Sequence, residues 1–256
     1  MSFANAKQRF SDRVTDYVRY RPGYPLALYD VLASECGLRP EPPIADIGSG
    51  TGLLSKLFLD RGNPVFGVEP NPEMRAAGEE FLRNYPNFTS VDGSAETTAL
   101  ANASVHFATA AQAFHWFDPQ ATRREFQRIL KPGGFVVVVW NDRVLSESAF
   151  ARQYEDLLRR FSTDYTRVRE TYPEAEAMQQ FFGANHLRHR ELPNFQDFDF
   201  RGLAGRLRSS SYAPKEGHPN YEPMMSQLQN IFDENEVDGR VRMVYTTHLY
   251  FAQLER

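Results

Sequence analysis

The stretch Ile44-Ala45-Asp46-Ile47-Gly48-Ser49-Gly50-Thr51-Gly52 decides the fold of this chain. A short apolar strand carries one acid, Asp46, and runs into three glycines that alternate with other residues. An apolar helical pattern over residues 51–61 follows directly. Glycines permit positive φ angles and let the backbone approach a ligand closely, and the amides that begin a helix face the same crevice. The stretch therefore predicts a strand, a tight turn and a helix around a ligand-binding crevice.

The glycine spacing argues against a dinucleotide site. The fingerprint G-x-G-x-x-G would need a glycine at position 53, where this chain has Leu53, and the third glycine is Gly52. Asp46 is also poorly placed for a pyrophosphate and suits a ligand that carries an ammonium and a sulfonium. A nicotinamide-dependent dehydrogenase is therefore the less favoured enzymatic alternative.

Strands and helices alternate from residue 43 to residue 141. The predicted strands cover residues 44–47, 64–69, 88–91, 105–110 and 135–140. The predicted helices cover residues 51–61, 72–84 (capped by Asn71) and 120–130. Such alternation predicts βαβ units, and hence an α/β fold with a doubly wound, mostly parallel seven-stranded sheet.

The flanking segments have a different texture. Residues 5–20 and 24–36 show helical spacing, residues 146–190 and 214–236 look mostly helical, and residues 194–200 and 241–254 look like strands. We therefore predict one domain over residues 1–256. Its expected parts are N-terminal lid helices (1–39), a ligand-binding core (40–141), a mostly helical cap or substrate region (142–240) and a final strand (241–256).

Composition excludes several classes of protein. The chain has 256 residues, 29 basic and 33 acidic, with a formal net charge of −4 and a single cysteine. One cysteine rules out a disulfide framework, and the longest apolar run, six residues at 135–140, is too short to cross a bilayer. Mild acidity without a basic block argues against nucleic acid as a partner. We expect a cytoplasmic monomer or homodimer that acts on a small molecule.

Two polar motifs follow the second and third strands. Glu69, with Pro70 after it, ends the second strand and can accept hydrogen bonds from both hydroxyls of a ribose; it could instead cap the next helix. The turn Ser94-Ala95-Glu96 can read a base through one side chain and one backbone amide, or be an ordinary polar turn.

An aromatic stretch, Gln112-Ala113-Phe114-His115-Trp116-Phe117, follows the fourth strand. Aromatic faces attract a cation such as a sulfonium, so we expect Phe114 and Trp116 to contact a substrate; packing in the core is the alternative. His115 is a candidate general base, with a structural histidine as the alternative. No metal site is expected, because the other histidines lack a ligand pattern.

Arginine dominates the basic residues: only 4 of the 29 are lysines. Coding bias of the genome can explain most of that excess. Arg201, Arg206 and Arg208 nevertheless cluster on a segment interrupted by glycines. Because guanidinium binds carboxylates in a bidentate manner, we expect one or more of them to point into the cap and hold an anionic substrate.

In this order, the motifs resemble the class I S-adenosylmethionine-dependent methyltransferases over residues 40–141. The resemblance implies S-adenosyl-L-methionine as cofactor and S-adenosyl-L-homocysteine as product. It implies that Glu69 and Pro70 adjoin the ribose and that Ser94, Ala95 and Glu96 adjoin the adenine. It assigns the methionine portion, with Asp46 near its ammonium, to the following residues: Asp46, Gly48, Ser49, Gly50, Gly52 and Gln112.

The flanks resemble the type 11 small-molecule branch of that family, near the trans-aconitate methyltransferases. The resemblance rests on the tyrosine- and proline-rich segment 10–25 and on Tyr245-x-Thr247-x-Leu249-Tyr250-Phe251. It implies that Tyr17 and Arg21 contact the cofactor or the substrate, or pack the lid on the sheet. The implied reaction is methyl transfer to a small acceptor, with an anionic carboxylate as candidate. A non-catalytic S-adenosylmethionine-binding protein is the alternative.

Overall fold

The computed structural model describes residues 18–169, 175–183 and 187–254, and seven strands in these residues form one sheet. The strand order is β3-β2-β1-β4-β5-β7-β6. Strands β1 to β5 pair in parallel, whereas β7 is antiparallel to both β5 and β6. The predicted doubly wound, mostly parallel sheet is therefore confirmed. Its strands are β1 (Ile44–Ile47), β2 (Val65–Val68), β3 (Phe88–Val91), β4 (Val105–Ala111), β5 (Leu130–Arg143), β6 (Arg188–Phe198) and β7 (Val241–Gln253).

Helices cover both faces of the sheet and its far end. They are α1 (Ala27–Cys36), α2 (Leu53–Leu59), α3 (Pro72–Phe81), α4 (Pro119–Ile129), α5 (Ala149–Phe161), α6 (Tyr165–Arg169), α7 (Ala175–Phe182), α8 (Phe200–Arg208) and α9 (Tyr221–Asn235). Asn71 caps α3 as predicted, because its Oδ1 accepts a hydrogen bond from the amide of Met74 at 2.9 Å. Within the described ranges, no helix combines the length and the apolar character that crossing a membrane requires.

Strand β5 shows why the sheet lies in the middle of the molecule. Val136 and Val138 pack in one apolar cluster with α4 and α7, while Val137 and Val139 pack in another with α1 and α2. All four are at most 1% exposed. Side chains alternate between the faces of a strand, so an unbroken run of valines requires both faces to be covered.

A third apolar cluster forms the cap. It joins α5, α8 and α9 to the first residues of β7, with Tyr154, Leu203, Leu228 and Tyr245 among its buried members. Strand β7 begins, and strand β6 ends, beyond the last residue of β5, so the cap helices rest on these extended ends. This arrangement places the cap beside the carboxyl ends of β4 and β5.

Within residues 142–240, one helix was not predicted and one strand begins earlier than predicted. The arginine-bearing segment is a regular helix, α8, in which Gly205 allows close contact with Tyr20: a Cβ there would lie 2.1 Å from the tyrosine ring. Strand β6 begins at Arg188, where helix was predicted. It lies at the sheet edge and exposes charged residues, so the apolar alternation of a strand is missing from its first half. The division of residues 1–256 into four parts stays a prediction.

Candidate functional site

The glycine turn after β1 is sterically fixed. Gly48, Gly50 and Gly52 have φ angles of 67°, 57° and 83°, in the region that favours glycine. A Cβ at Gly48 would lie 2.7 Å from Cβ of Ala113, and one at Gly52 would lie 2.5 Å from Cδ1 of Leu82. The turn therefore presents bare backbone towards the end of β4, as a cradle for a ligand requires.

Glu69 faces this turn from the end of β2. Its Oε2 accepts a hydrogen bond from the amide of Gly50 at 2.9 Å, and its Oε1 accepts one from the amide of Asn71 at 2.8 Å. Burial raises the pKa of this carboxyl, and the two amides act in the opposite direction. Each oxygen keeps a second lone pair, so the carboxylate can still accept a pair of neighbouring hydroxyls.

Asp46 does not face the crevice as expected. It is 1% exposed, and its carboxylate accepts hydrogen bonds from the hydroxyls of Ser55 (2.7 Å) and Thr109 (3.2 Å). Burial raises its pKa to about 6. The enclosed carboxylate joins β1 to α2 and β4 and so supports the turn from below. That Asp46 lies near an ammonium of the ligand stays a prediction.

The turn after β3 is held in place by α4. Ser94 and Thr97 exchange backbone hydrogen bonds of 3.0 and 3.2 Å, and Glu96 accepts one from the amide of Asp118 at 2.9 Å. Ala95 is buried, while Ser94 and Glu96 are half-buried. Pro70, at the end of β2, is also half-buried. The predicted base-reading turn is thus ordered and stands at the same edge of the sheet as Glu69.

Glu125 of α4 anchors the far side of that turn. It accepts hydrogen bonds from the amide and hydroxyl of Thr98 at 2.8 and 2.6 Å, and from Arg128. Burial acts to raise its pKa, but the bonds from Arg128 and Thr98 outweigh it and lower the pKa to about 2. An ionised carboxylate therefore ties the turn to the helix.

The aromatic stretch after β4 divides into buried and cleft-facing residues. Phe114 is 6% exposed and packs edge to face against Phe181, with ring centroids 4.7 Å apart. This corrects the expectation that Phe114 contacts substrate, since it is a core anchor. Trp116 is half-buried and lies against His115. Gln112 has a positive φ of 55°, and its Nε2 donates to the carbonyl of Asn141 at 2.9 Å.

The environment of His115 disfavours the predicted role as a base. Its ring lies 5.1 Å from that of Trp140, and burial lowers its pKa to about 3. A general base works best when its pKa lies near the working pH. An imidazole with so low a pKa binds a second proton only weakly. The side chain of His115 therefore mainly packs between Trp116 and Trp140.

A cleft adjoins the glycine turn on the side of the cap. Its empty volume is about 530 Å³, part of it open to solvent. Leu53 at the start of α2 and Gln112 at the end of β4 line one side; Arg143, Tyr212 and Tyr245 line the other. The remaining lining residues are Arg21, Pro22, Tyr24, Asn141, Asp142 and Arg206. The cleft therefore joins the crevice at the sheet edge to the cap.

One of the three predicted cap arginines lines this cleft. Arg206 is 4% exposed, and its Nη1 donates to the hydroxyl of Ser210 at 3.0 Å. Its Nε has no hydrogen-bond acceptor, and no carboxylate lies within 4.0 Å of its guanidinium among the residues described. Arg201 is exposed on α8, and Arg208 is half-buried and not among the lining residues.

Arg143 and Tyr212 are among the cleft residues that the sequence reasoning missed. Arg143, at the end of β5, forms an ion pair of 3.0 Å with Glu155 and donates to the hydroxyl of Tyr165 at 2.6 Å. Tyr212 follows α8 and is 4% exposed. The position of Arg143 just after a core strand was a usable signal; nothing in the local sequence distinguishes Tyr212.

The electrostatics of Tyr212 are unusual. Burial acts to raise its pKa, but the guanidiniums of Arg143, Arg206 and Arg21, with a hydrogen bond from Ser210, outweigh it. The net effect is a pKa below the ordinary value for tyrosine. A phenolate at this position would be the anion that the surrounding cations favour.

The segment before α1 closes one side of the cleft. Arg21 Nη2 donates to the carbonyl of Ser209 at 3.0 Å. The carbonyl of Gly23 accepts hydrogen bonds from Asn141 at 3.2 Å and from Asn194 at 3.0 Å. Arg21 thus lies on the cleft as expected; Tyr17, the other predicted lid contact, lies outside the described residues.

A group of potential metal ligands lies away from this site. His189, Glu191 and His248, on the neighbouring strands β6 and β7, place three ligand atoms within 4.8 Å of one another. The two imidazoles lie nearly parallel, with Nε2 of His189 3.1 Å from Nδ1 of His248, a hydrogen-bond distance. That no metal site exists stays a prediction.

Known methyltransferases are similar to this chain in sequence and in structure. Residues 45–138 match the family described as "Methyltransferase domain". An uncharacterized methyltransferase of Mycobacterium tuberculosis is 35% identical over 165 residues, which are 64% of each chain. The chain therefore spans slightly less than two thirds of that relative's length.

Solved methyltransferase structures share the fold. A proposed type II methyltransferase of Anaeromyxobacter dehalogenans aligns with a TM-score of 0.70 at 22% identity, over 93% of this chain and 100% of that one. Phosphoethanolamine N-methyltransferase 2 of Haemonchus contortus aligns with a TM-score of 0.54 at 15% identity, over 99% of this chain and 59% of that one. The latter was solved with phosphomonomethylethanolamine and S-adenosylhomocysteine. Both likenesses concern the fold.

Proposed function

Because residues 45–138 match the methyltransferase domain family, we propose that this chain is a class I S-adenosylmethionine-dependent methyltransferase. It would transfer a methyl group from S-adenosylmethionine to a small acceptor in the cleft. The observation that carries the proposal is the position of Glu69, whose Oε2 accepts a hydrogen bond from the amide of Gly50 in the glycine turn and whose Oε1 accepts one from the amide of Asn71. A carboxylate so placed suits the two hydroxyls of a ribose.

The residues around the turn fit this donor. Glu69 and Pro70 would adjoin the ribose, and the turn formed by residues 94–96 would adjoin the adenine. The methionine portion would lie along Gly48, Ser49, Gly50 and Gln112, with Arg21 within the same cleft. When bound, S-adenosylmethionine supplies a methyl group that its sulfonium has already activated, so the protein has mainly to align the acceptor and exclude water.

The charge of the cleft supports an anionic acceptor. Three arginines line it: Arg21, Arg143 and Arg206. No carboxylate of the described residues lies within 4.0 Å of the buried guanidinium of Arg206. A buried unpaired charge costs several kcal/mol, and a carboxylate on the acceptor would supply the missing counter-charge. We therefore propose an acceptor that carries a carboxylate.

Donor binding can be tested without knowing the acceptor. Calorimetry with S-adenosylhomocysteine should detect binding to the wild type. Glu69→Gln should weaken it by about 10-fold or more, because one of the two acceptor oxygens becomes an NH2 donor and the negative charge is lost. Glu73→Gln, an exposed acid in the first turn of α3, is the matched control and should bind like wild type. Absence of wild-type binding would overturn the proposal.

Methyl transfer can then be tested on a panel of small carboxylic acids with isotope-labelled S-adenosylmethionine. Arg206→Met should abolish transfer to the acceptor used by the wild type, while exposed Arg201→Met should not. Transfer to neutral or cationic molecules alone would contradict the carboxylate. Donor binding without transfer to any small molecule would favour the alternative, a non-catalytic S-adenosylmethionine-binding protein.

A further inference from the structure

We propose that Tyr212 is the general base of this cleft and that the methyl group is accepted by a hydroxyl of the carboxylate-bearing molecule. The inference rests on the proposed methyl transfer and narrows it to an acceptor atom. A carboxylate oxygen is already ionised at neutral pH and needs no base, whereas a hydroxyl must lose its proton as the methyl bond forms.

The position of Tyr212 meets the first requirement of a base, which is access to the reacting group. Its side chain lines the same cleft as Leu53 and Gln112, which belong to the donor end. It is otherwise enclosed by the cap, with the ring of Tyr165 edge-on at 4.9 Å. A molecule that fills the cleft therefore lies between the donor crevice and Tyr212.

The charges around Tyr212 meet the second requirement, which is a stable deprotonated form. Three cations face it from three separate elements: Arg143 from β5, Arg206 from α8 and Arg21 from the segment before α1. Tyr154 on α5 and Tyr165 on α6 also interact with Tyr212 electrostatically. Glu155 on α5 interacts with Arg143, and Tyr245 on β7 interacts with Arg206. Glu155 is already paired with Arg143 and Arg159, both at 3.0 Å, so cations prevail at the phenol.

Two other candidates in or near the cleft, Tyr245 and His115, fit less well. The hydroxyl of Tyr245 is 3.1 Å from Oε1 of Gln196, to which it donates. His115 is not among the lining residues, and burial holds its imidazole neutral. Tyr212 combines access with cationic surroundings.

Methyl transfer to the hydroxyl moves one proton to Tyr212 and one electron pair to sulfur. The acceptor O–H bond breaks, and its proton passes to the phenolate oxygen of Tyr212. A bond forms between the acceptor oxygen and the methyl carbon, and the carbon–sulfur bond breaks with its electron pair left on sulfur. Tyr212 leaves the step as a neutral phenol and returns its proton to solvent.

The first test needs neither donor nor acceptor. Ultraviolet difference absorbance reports tyrosinate, and the full-length protein has 12 tyrosines. Titrated from about pH 6 to about pH 10, one tyrosine should ionise below the ordinary tyrosine pKa of about 10. Tyr212→Phe should remove that early phase, and Arg206→Met should move it to higher pH. Tyr250→Phe, on β7 outside the cleft, should leave it unchanged.

The second test uses the acceptor found with the carboxylic acid panel. In the wild type, kcat should rise with pH as Tyr212 loses its proton. Tyr212→Phe should abolish that rise and lower kcat by about 100-fold or more. It should leave S-adenosylhomocysteine binding unchanged. Unchanged binding also shows that the variant is folded. Arg206→Met keeps the phenol of Tyr212, so the shift of its early ionisation to higher pH is a second, independent test of the cationic surroundings.

The outcomes separate this inference from the proposed function. An early tyrosinate phase that survives in Tyr212→Phe, or a Tyr212→Phe enzyme with wild-type kcat and pH profile, overturns the base while methyl transfer stands. A wild type that binds no S-adenosylhomocysteine overturns the proposed function, whatever the titration shows.

Discussion

Arg206 and Arg201 lie five positions apart on α8, yet their surroundings differ completely. Arg201 is exposed, while Arg206 is 4% exposed and lines the cleft. Residues five apart point to different sides of a helix. The sequence could group these arginines, and only the packing of α8 against the cap could decide which of them faces a ligand.

Arg206→Met should leave the ligand-free protein as stable as wild type, or more stable by up to about 2 kcal/mol, because a desolvated charge is replaced by an apolar chain of similar length. Thermal unfolding without ligand measures this, and Arg201→Met controls for the loss of one positive charge. A loss of more than about 2 kcal/mol in Arg206→Met would mean that the guanidinium is chiefly structural.

At the scale of elements, the turns after β1 and β3 are made by different means. The first depends on the absence of side chains at its glycines, and the second on an ionised carboxylate from α4. The glycine pattern is visible in the sequence. The bond from Glu125 to Thr98 spans 27 positions and is not. This explains why the second turn looked ordinary in the sequence.

Gly48→Ala should destabilise the protein by about 2 kcal/mol or more and weaken S-adenosylhomocysteine binding, because its Cβ would lie 2.7 Å from Ala113. Gly217→Ala is the matched control: its φ is also positive, at 86°, but nothing lies within 4 Å of the added carbon. Chemical denaturation should give a loss of about 1 kcal/mol for the control. Equal losses in both variants would show that backbone strain alone matters at Gly48.

Glu125→Gln should cost about 2 kcal/mol of unfolding free energy at neutral pH, allowing for solvent around the half-exposed Arg128. The folded pKa of Glu125 is about 2, below its usual 4.5. Its stabilisation is therefore complete above about pH 4.5 and is lost as the pH falls towards 2. Denaturation of wild type and variant across this range should give converging stabilities. Glu80→Gln, an exposed partner of Arg83, should change stability by less than about 0.5 kcal/mol at any pH.

At the scale of the whole molecule, residues far apart in the chain converge on one cleft. Arg21, Gln112 and Arg206 all line it, although they come from the segment before α1, the parallel core and the cap. S-adenosylmethionine bound at this junction would contact residues that are neighbours only in the folded protein. Binding should therefore stabilise the fold as a unit.

S-adenosylhomocysteine at about 100 times its Kd should raise the unfolding free energy by about 2.7 kcal/mol. For a chain of this size, that corresponds to a Tm increase of about 5 to 10 °C. Calorimetric scans of wild type and Glu69→Gln at one ligand concentration measure this. A shift of equal size in both proteins would show that the ligand binds elsewhere.

The sheet, the glycine turn and the position of Glu69 could be predicted from the sequence, because they depend on local periodicity and on residues close together in the chain. An unbroken run of valines indicated that β5 is buried, and Asn71 indicated where α3 begins. The packing of distant segments encloses Asp46, places Phe114 in the core and brings Arg206 to the cleft with Tyr212. Burial and charge at these residues come from partners distant in the chain, and no local pattern records such partners.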